Sequence, residues 1–214
     1  MLPQVSVTAI DIGIEPDATM VQHANADNAR LLNVFPKGFA LDATHHPHIT
    51  ILQRYVHTAD LDKVYSAVDK VVGSEKAGSW RLKAFKYSYM PWKDIGLANI
   101  VVEPTDDLLR LQQDLIDAVA PFTAKTGTSA AFYTADDPDI NQPTMDYVAA
   151  FVPAGTGKNF YPHVTIGIAS QDYLKEMVAK PFDVFTFSPM GASVFQLGNF
   201  GTARKQLKAL KFAK

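Results

Sequence analysis

The chain has 214 residues, 47% of them hydrophobic, and a formal net charge of −2. That length and apolar content can bury a sizeable core in one large domain or two small lobes, and the near-neutral balance excludes a global basic field for nucleic acid. Cysteine is absent, which excludes disulfides and thiolate metal sites.

The first segment, QVSVTAIDIGI, is β-branched and partly alternating and predicts a strand. It has no basic leader and carries Asp11 and Glu15, so it does not read as a signal peptide. No apolar run reaches transmembrane length, and a soluble, cytoplasmic chain with no membrane or protein partner is expected. EPDATMVQHANADNARLLNVFP predicts a helix between Pro16 and Pro36. HITILQRYV predicts a strand, and TADLDKVYSAVDKVV a helix with Thr58 as a candidate cap. GSEKAGS reads as a loop. WRLKAFKYSYM and IGLANIVVEP read as neighbouring strands joined around Pro91. TDDLLRLQQDLIDAVAPF is the clearest helix, with Thr105 as cap, acids in its first turn and Pro121 closing it.

From Thr123 to Pro143 the pattern is poor, with ADDPDINQP an acidic loop. TMDYVAAFVP predicts a short helix and GTGKN a loop. A further strand holds HVTIGI, QDYLKEMVAK predicts a helix, and FDVFTF and ASVFQLGNF predict strands. The basic end, with Arg204, Lys205, Lys208, Lys211 and Lys214, reads as a helix or a fraying strand, solvated or a weak grip on a polyanion. Strands and helices do not alternate regularly, which predicts an α+β fold.

One pattern is written twice. Pro47-His48-Ile49-Thr50-Ile51 and Pro162-His163-Val164-Thr165-Ile166 share Pro-His-aliphatic-Thr-Ile. In a strand, residues two apart share a face, so His48 projects with Thr50 and His163 with Thr165, while the aliphatic residues anchor the core. If the two strands meet, two imidazoles and two hydroxyls line one cleft. With an ordinary pKa of roughly 6.5, one imidazole can be neutral and take a proton while the other is protonated and gives one. The hydroxyls can donate to the non-bridging oxygens of a phosphodiester between them.

The paired H-x-T-x motifs, each on an aliphatic strand, resemble the 2H phosphoesterase superfamily, which includes 2′-5′ RNA ligase-like proteins and plant cyclic phosphodiesterases. The tail VFQLGNFGTARKQL also looks like the end of some members. The resemblance implies one two-lobed α+β domain over residues 1–214, with a pseudo-twofold arrangement of antiparallel sheets, outer helices and a central cleft. It implies metal-free, cofactor-free attack on a small cyclic nucleotide or an RNA end, at 2′,3′-cyclic, 1″,2″-cyclic or 2′-5′ linked phosphates, as in RNA processing. His48 and His163 would share acid and base roles in either order, with Thr50 and Thr165 orienting the phosphoryl group.

Other residues extend or compete with this reading. Period two from His48 puts Arg54 on the catalytic face, where it could pair with a phosphate, and Tyr161 beside His163, where it could stack on a base. Lys158 could reach a phosphate from the preceding loop. PAGTGKNF is not a P-loop, because Val152 and Asn159 stand where glycine and Ser/Thr are required. His45, His46 and His48 raise a metal-dependent hydrolase through His46 and His48 as an alternative. A nucleotide or RNA-end binding module without turnover is another. His23 and His57 read as surface residues.

Overall fold

A computed structural model describes residues 6–135 and 138–214. The start of the first expected strand, at Gln4 and Val5, and Asp136 and Asp137 of the acidic loop lie outside them. The chain runs β1 (Val7–Pro16), α1 (Ala18–Val34), β2 (Ile49–His57), α2 (Leu61–Val72), β3 (Leu82–Trp92), β4 (Ile95–Val102), α3 (Asp106–Val119), β5 (Thr123–Ala124), α4 (Gln142–Gly155), β6 (His163–Ser170), α5 (Gln171–Val178), β7 (Phe185–Phe187), β8 (Pro189–Leu197) and β9 (Ala203–Leu210). Strand pairing is antiparallel throughout, in the order β7-β3-β4-β6-β2-β1-β8-β9, with the short β5 on β2. This is the expected α+β, two-lobed arrangement. β2, β1, β8 and β9 make one half of the sheet, and β6, β4, β3 and β7 the other.

The halves join through one register pair, Ile49 with Val164. Both are fully buried aliphatic residues that follow the histidine of the repeated motif. Just beyond, each strand is interrupted in the same way. Opposite β1 the register passes from Thr50 to Leu52, and opposite β4 it passes from Thr165 to Gly167. Ile51 and Ile166 are therefore the extra residues of two β-bulges, which bend the strands away from each other and open the cleft.

A bulge takes main-chain groups out of the ladder, and here each freed carbonyl is met by a buried amide from a helix. Gln112 of α3 donates its Nε2 to Ile51 O at 3.0 Å, and Asn28 of α1 donates its Nδ2 to Ile166 O at 2.9 Å. The same amides accept from loops that border the cleft, Gln112 Oε1 from Gly157 N and Asn28 Oδ1 from Leu41 N. Both helices are well started. Asp17 caps α1 by accepting from Thr19 N and Met20 N, and Thr105 caps α3 by accepting from Leu108 N.

Local expectations change at three places, and of the two readings of the basic tail the strand holds. The β3–β4 turn falls at Lys93 and Asp94 rather than at Pro91, and Lys93 has φ 49°. Pro91 lies within β3 beyond the stretch paired with β7, so its missing N–H breaks no ladder bond. Thr58 does not cap α2; its hydroxyl pairs with those of Ser6 and Thr8, and a 3₁₀ turn precedes the helix. α4 starts before Thr144, because Asn141 caps it and Pro143 suits a first turn. The basic tail is strand β9, since β8 offers an open ladder and tertiary pairing overrides the helix propensity of Lys, Ala and Leu.

Gln112→Leu and Asn28→Leu should each lower unfolding stability in urea by about 1–3 kcal/mol, the usual cost of a buried carbonyl left without its donor. A loss near zero in both would show that the amides do not support the bulges.

Candidate active site

The repeated motif builds two half-sites from local rules. A residue before proline is held extended, which fixes the carbonyls of His46 and Tyr161. His48 Nδ1 lies 2.6 Å from His46 O, and His163 Nδ1 lies 2.7 Å from Tyr161 O. A carbonyl only accepts, so each Nδ1 carries a hydrogen and each ring presents Nε2. Continuing the antiparallel register from Ile49 and Val164 sets His48 toward Thr165 and His163 toward Thr50. All four side chains line one cleft of about 250 Å³.

Phe195 of β8, fully buried, packs 5.5 Å from the His48 ring and 5.3 Å from His46. Gly13 makes room on the other side, since a Cβ there would lie 2.7 Å from His48 Cδ2.

The half-sites are not equal. Thr50 donates to Asp11 Oδ2 at 2.7 Å, and Thr165 donates to Asn99 Oδ1 at 2.9 Å. Asn99 spends its Nδ2 on Leu97 O, which fixes its oxygen toward Thr165. Both hydroxyl protons are thus already committed to a neighbouring strand, where free donors to a phosphate were expected. Asp11 is fully buried, also accepts from Gln53 Nε2 at 2.8 Å, and stands 3.5 Å from His48 Nε2. Its Oδ1 meets no donor among the described residues. In the other half, the register positions that match Asp11 and Gly13 hold Leu97 and Asn99.

The charges follow. Burial pushes the His48 imidazole down, but the Asp11 charge and hydrogen bond, the His46 carbonyl and Glu15 together hold its pKa above the ordinary histidine value. Burial pushes His163 down, and the nearby His48 adds to this; the Tyr161 carbonyl and Asp11 only partly offset it. Burial, then the Asp11 charge, raises the Tyr147 phenol in the cleft wall.

Tyr161 stands at the mouth, 46% exposed, with its ring 6.1 Å from that of His163. Arg54 is not in the cleft. The bulge at Ile51 breaks the period-two count, so Gln53 takes the place on the cleft face and Arg54 turns away to donate to Thr123 Oγ1 at 2.8 Å. Lys158 is exposed and outside the cleft lining, and its neighbours Asn159 and Phe160 line the cleft instead. His23 is exposed and stacks on Phe185. His45 stacks on Phe39 and its Nε2 lies 2.8 Å from Arg204 Nη1. Among the described residues no three His, Asp or Glu side chains converge as a metal-ligand set.

Asp11, Gln53, Asn99 and Phe200 were not singled out from the sequence. Asp11 had a signal, an acid inside an otherwise apolar strand. Asn99 had a similar one, a polar residue inside IGLANIVV. Gln53 and Phe200 had none, because a bulge and a hairpin turn bring them in.

No family model and no curated protein matches the chain. Among solved structures, TT0787 of Thermus thermophilus aligns with a TM-score of 0.55 at 15% identity, over 96% of this chain and 98% of that one. E. coli LigT complexed with NADP+ aligns with a TM-score of 0.51 at 12% identity, over 98% of this chain and all of its own. Both are members of the 2H phosphoesterase superfamily, and over nearly its whole length this chain has their fold.

Proposed function

We propose that the chain is a metal-independent phosphodiesterase of the 2H type, acting on a nucleotide cyclic phosphate or on 2′,3′-cyclic or 2′-5′ linked RNA ends. The observation that carries this reading is the pairing of the two His-x-Thr strands at Ile49 and Val164, which sets both Nε2 atoms in one cleft. In the hydrolytic direction, the neutral imidazole takes a proton from water as its oxygen bonds to phosphorus. The protonated imidazole gives a proton to the ribose oxygen as its bond to phosphorus breaks. The products are a phosphomonoester and a free hydroxyl, and no further reactant is needed. Joining 2′-5′ ends would use a 5′-hydroxyl in place of water: the neutral imidazole takes its proton as its oxygen bonds to the phosphorus of a 2′,3′-cyclic phosphate, and the protonated imidazole gives one to the 3′ ribose oxygen as that bond breaks.

The cleft lining favours a small substrate with one phosphate. Among the described residues no lysine or arginine lines it, and its walls are largely aromatic, with Phe39, Tyr147, Phe160, Tyr161 and Phe200. Lys86 is near only at the rim, 5.6 Å from the Tyr161 ring centre. Such walls suit a base and a single diester charge better than a chain of phosphates. A nucleoside 2′,3′-cyclic phosphate is therefore the first substrate to test, ahead of ADP-ribose 1″,2″-cyclic phosphate.

These roles set the expected behaviour of variants. His48→Ala and His163→Ala should each lower kcat about 10²–10⁴-fold with the fold intact, and the double variant should lose less than the product of the singles. The wild-type rate should persist in EDTA. A rate lost in EDTA and restored by zinc would replace this mechanism with a metal hydrolase that uses His46 and His48.

The threonines should differ. A phosphate oxygen competes easily with the neutral Asn99 carbonyl for the Thr165 proton, but poorly with the Asp11 carboxylate for that of Thr50. Thr165→Val should lower kcat roughly tenfold or more, as loss of a hydrogen bond to a charged group implies. Thr50→Val should act mainly on stability, by removing a donor from a buried carboxylate. Equal effects on kcat would refute the distinction.

A further inference from the structure

We propose that Asp11 is a positioning residue that divides the proton work between the two histidines, holding His48 as the protonated acid and leaving His163 as the neutral base. The inference rests on the phosphodiesterase reading above but uses a feature that the repeated motif does not contain. The motif is symmetric; the strands beside it are not. Asp11 and Gly13 flank the first half-site where Leu97 and Asn99 flank the second.

Asp11 is fully buried with two neutral donors, Thr50 and Gln53. A carboxylate out of water needs a compensating positive charge. Among the described residues the only basic group within ion-pair distance is the His48 ring, at 3.5 Å. The groups that face His48 from every side are few. They are Asp11 and Glu15 of β1, His46 just before it, the Thr50 hydroxyl of β2, which lies 3.2 Å from Nε2 and donates to Asp11, His163 of β6, the apolar Phe195 of β8, and Tyr147 of α4 across the cleft. Glu15 is already engaged by Ser193 and Gln206, and Arg204 of β9 is engaged with His45. The strongest field on His48 therefore comes from Asp11.

The consequence is a population. Two equivalent imidazoles at their common pKa hold any one chosen arrangement, first protonated and second neutral, in only about a quarter of molecules. Here the His48 pKa is raised and that of His163 lowered. His48 loses its proton only as pH rises through its raised value, and His163 gains one only as pH falls through its lowered value. Between those limits the productive arrangement is the main species. The alkaline limb of kcat/KM belongs chiefly to His48, and the acidic limb to His163.

The test is imidazole NMR titration of the ligand-free chain, with His48 and His163 signals assigned through His48→Gln and His163→Gln, alongside the pH profile of kcat/KM on a nucleoside 2′,3′-cyclic phosphate. In the wild type, His48 should titrate at higher pH than His163. Asp11→Asn keeps an oxygen for Thr50 and Gln53 but removes the charge. His48 should then titrate lower and the alkaline limb should move to lower pH, with the acidic limb nearly in place. Asn99→Asp should move His163 and the acidic limb upward and narrow the bell from the other side. If Asp11→Asn does not fold, the wild-type order and Asn99→Asp still decide. His163 titrating above His48, or an unchanged alkaline limb in a folded Asp11→Asn, would overturn the proposal. Correct titration with no turnover of any phosphodiester would instead leave Asp11's effect on His48 standing and remove the phosphodiesterase reading.

Discussion

The structure depends on one pair of main-chain partners, Ile49 and Val164. Through them two half-sheets become one, and the residues on either side of them are the catalytic candidates. The ladder stops at this pair because both strands bulge immediately afterward, at Ile51 and Ile166. A longer β2–β6 ladder would flatten the cleft, and no ladder would let the two histidines drift apart. The bulges are held by Gln112 and Asn28, whose amides also tie down Gly157 and Leu41 beside the cleft. The spacing of the two half-sites thus rests on buried polar groups of α3 and α1 that lie outside the cleft. Fully satisfied polar networks of this kind fix one geometry where apolar packing alone would accept several.

Much of this was legible in the sequence, for a physical reason. The five-residue repeat is a complete local program. Proline fixes the carbonyl that takes the histidine Nδ1–H, histidine and threonine share a face, and aliphatic residues face the core. Helices α1, α3 and α5 were legible because caps and amphipathic spacing are also local. The side of the sheet that Arg54 occupies was not. A bulge is a property of two strands together, and Ile51 carries no mark distinguishing it from a paired isoleucine. The same limit hid Gln53, which the bulge brings into the cleft, and Phe200, which arrives on the β8–β9 turn at φ 58°. Strand β9 was ambiguous because its composition suits a helix and only the open side of β8 decides the matter.

The repeat also misleads in one respect, by suggesting two equivalent halves. Equivalence would suit a reaction in which either histidine could be acid or base. It would be poor for a reaction that runs mainly in one direction, since each role would be filled in only a fraction of molecules. The asymmetry is built on the neighbouring strands, where a single carboxylate at Asp11 faces no counterpart at Leu97. It is placed so that its charge reaches His48 directly and His163 only at longer range.

That placement carries a second consequence for a phosphodiesterase. A cyclic diester carries one negative charge, while the monoester product carries roughly −1.5 to −2 at neutral pH. In a cleft whose lining contains no lysine or arginine among the described residues, a protonated His48 would be the main positive charge available to either. Asp11 already claims part of it. A monoanion can share that imidazolium at modest cost, but the added charge of the product meets a buried carboxylate a few ångströms behind it. A carboxylate that kept His48 protonated would therefore also work against retention of a monoester product. On the proposed reading, the same field that would assign the proton would also bias the cleft toward a diester over its product.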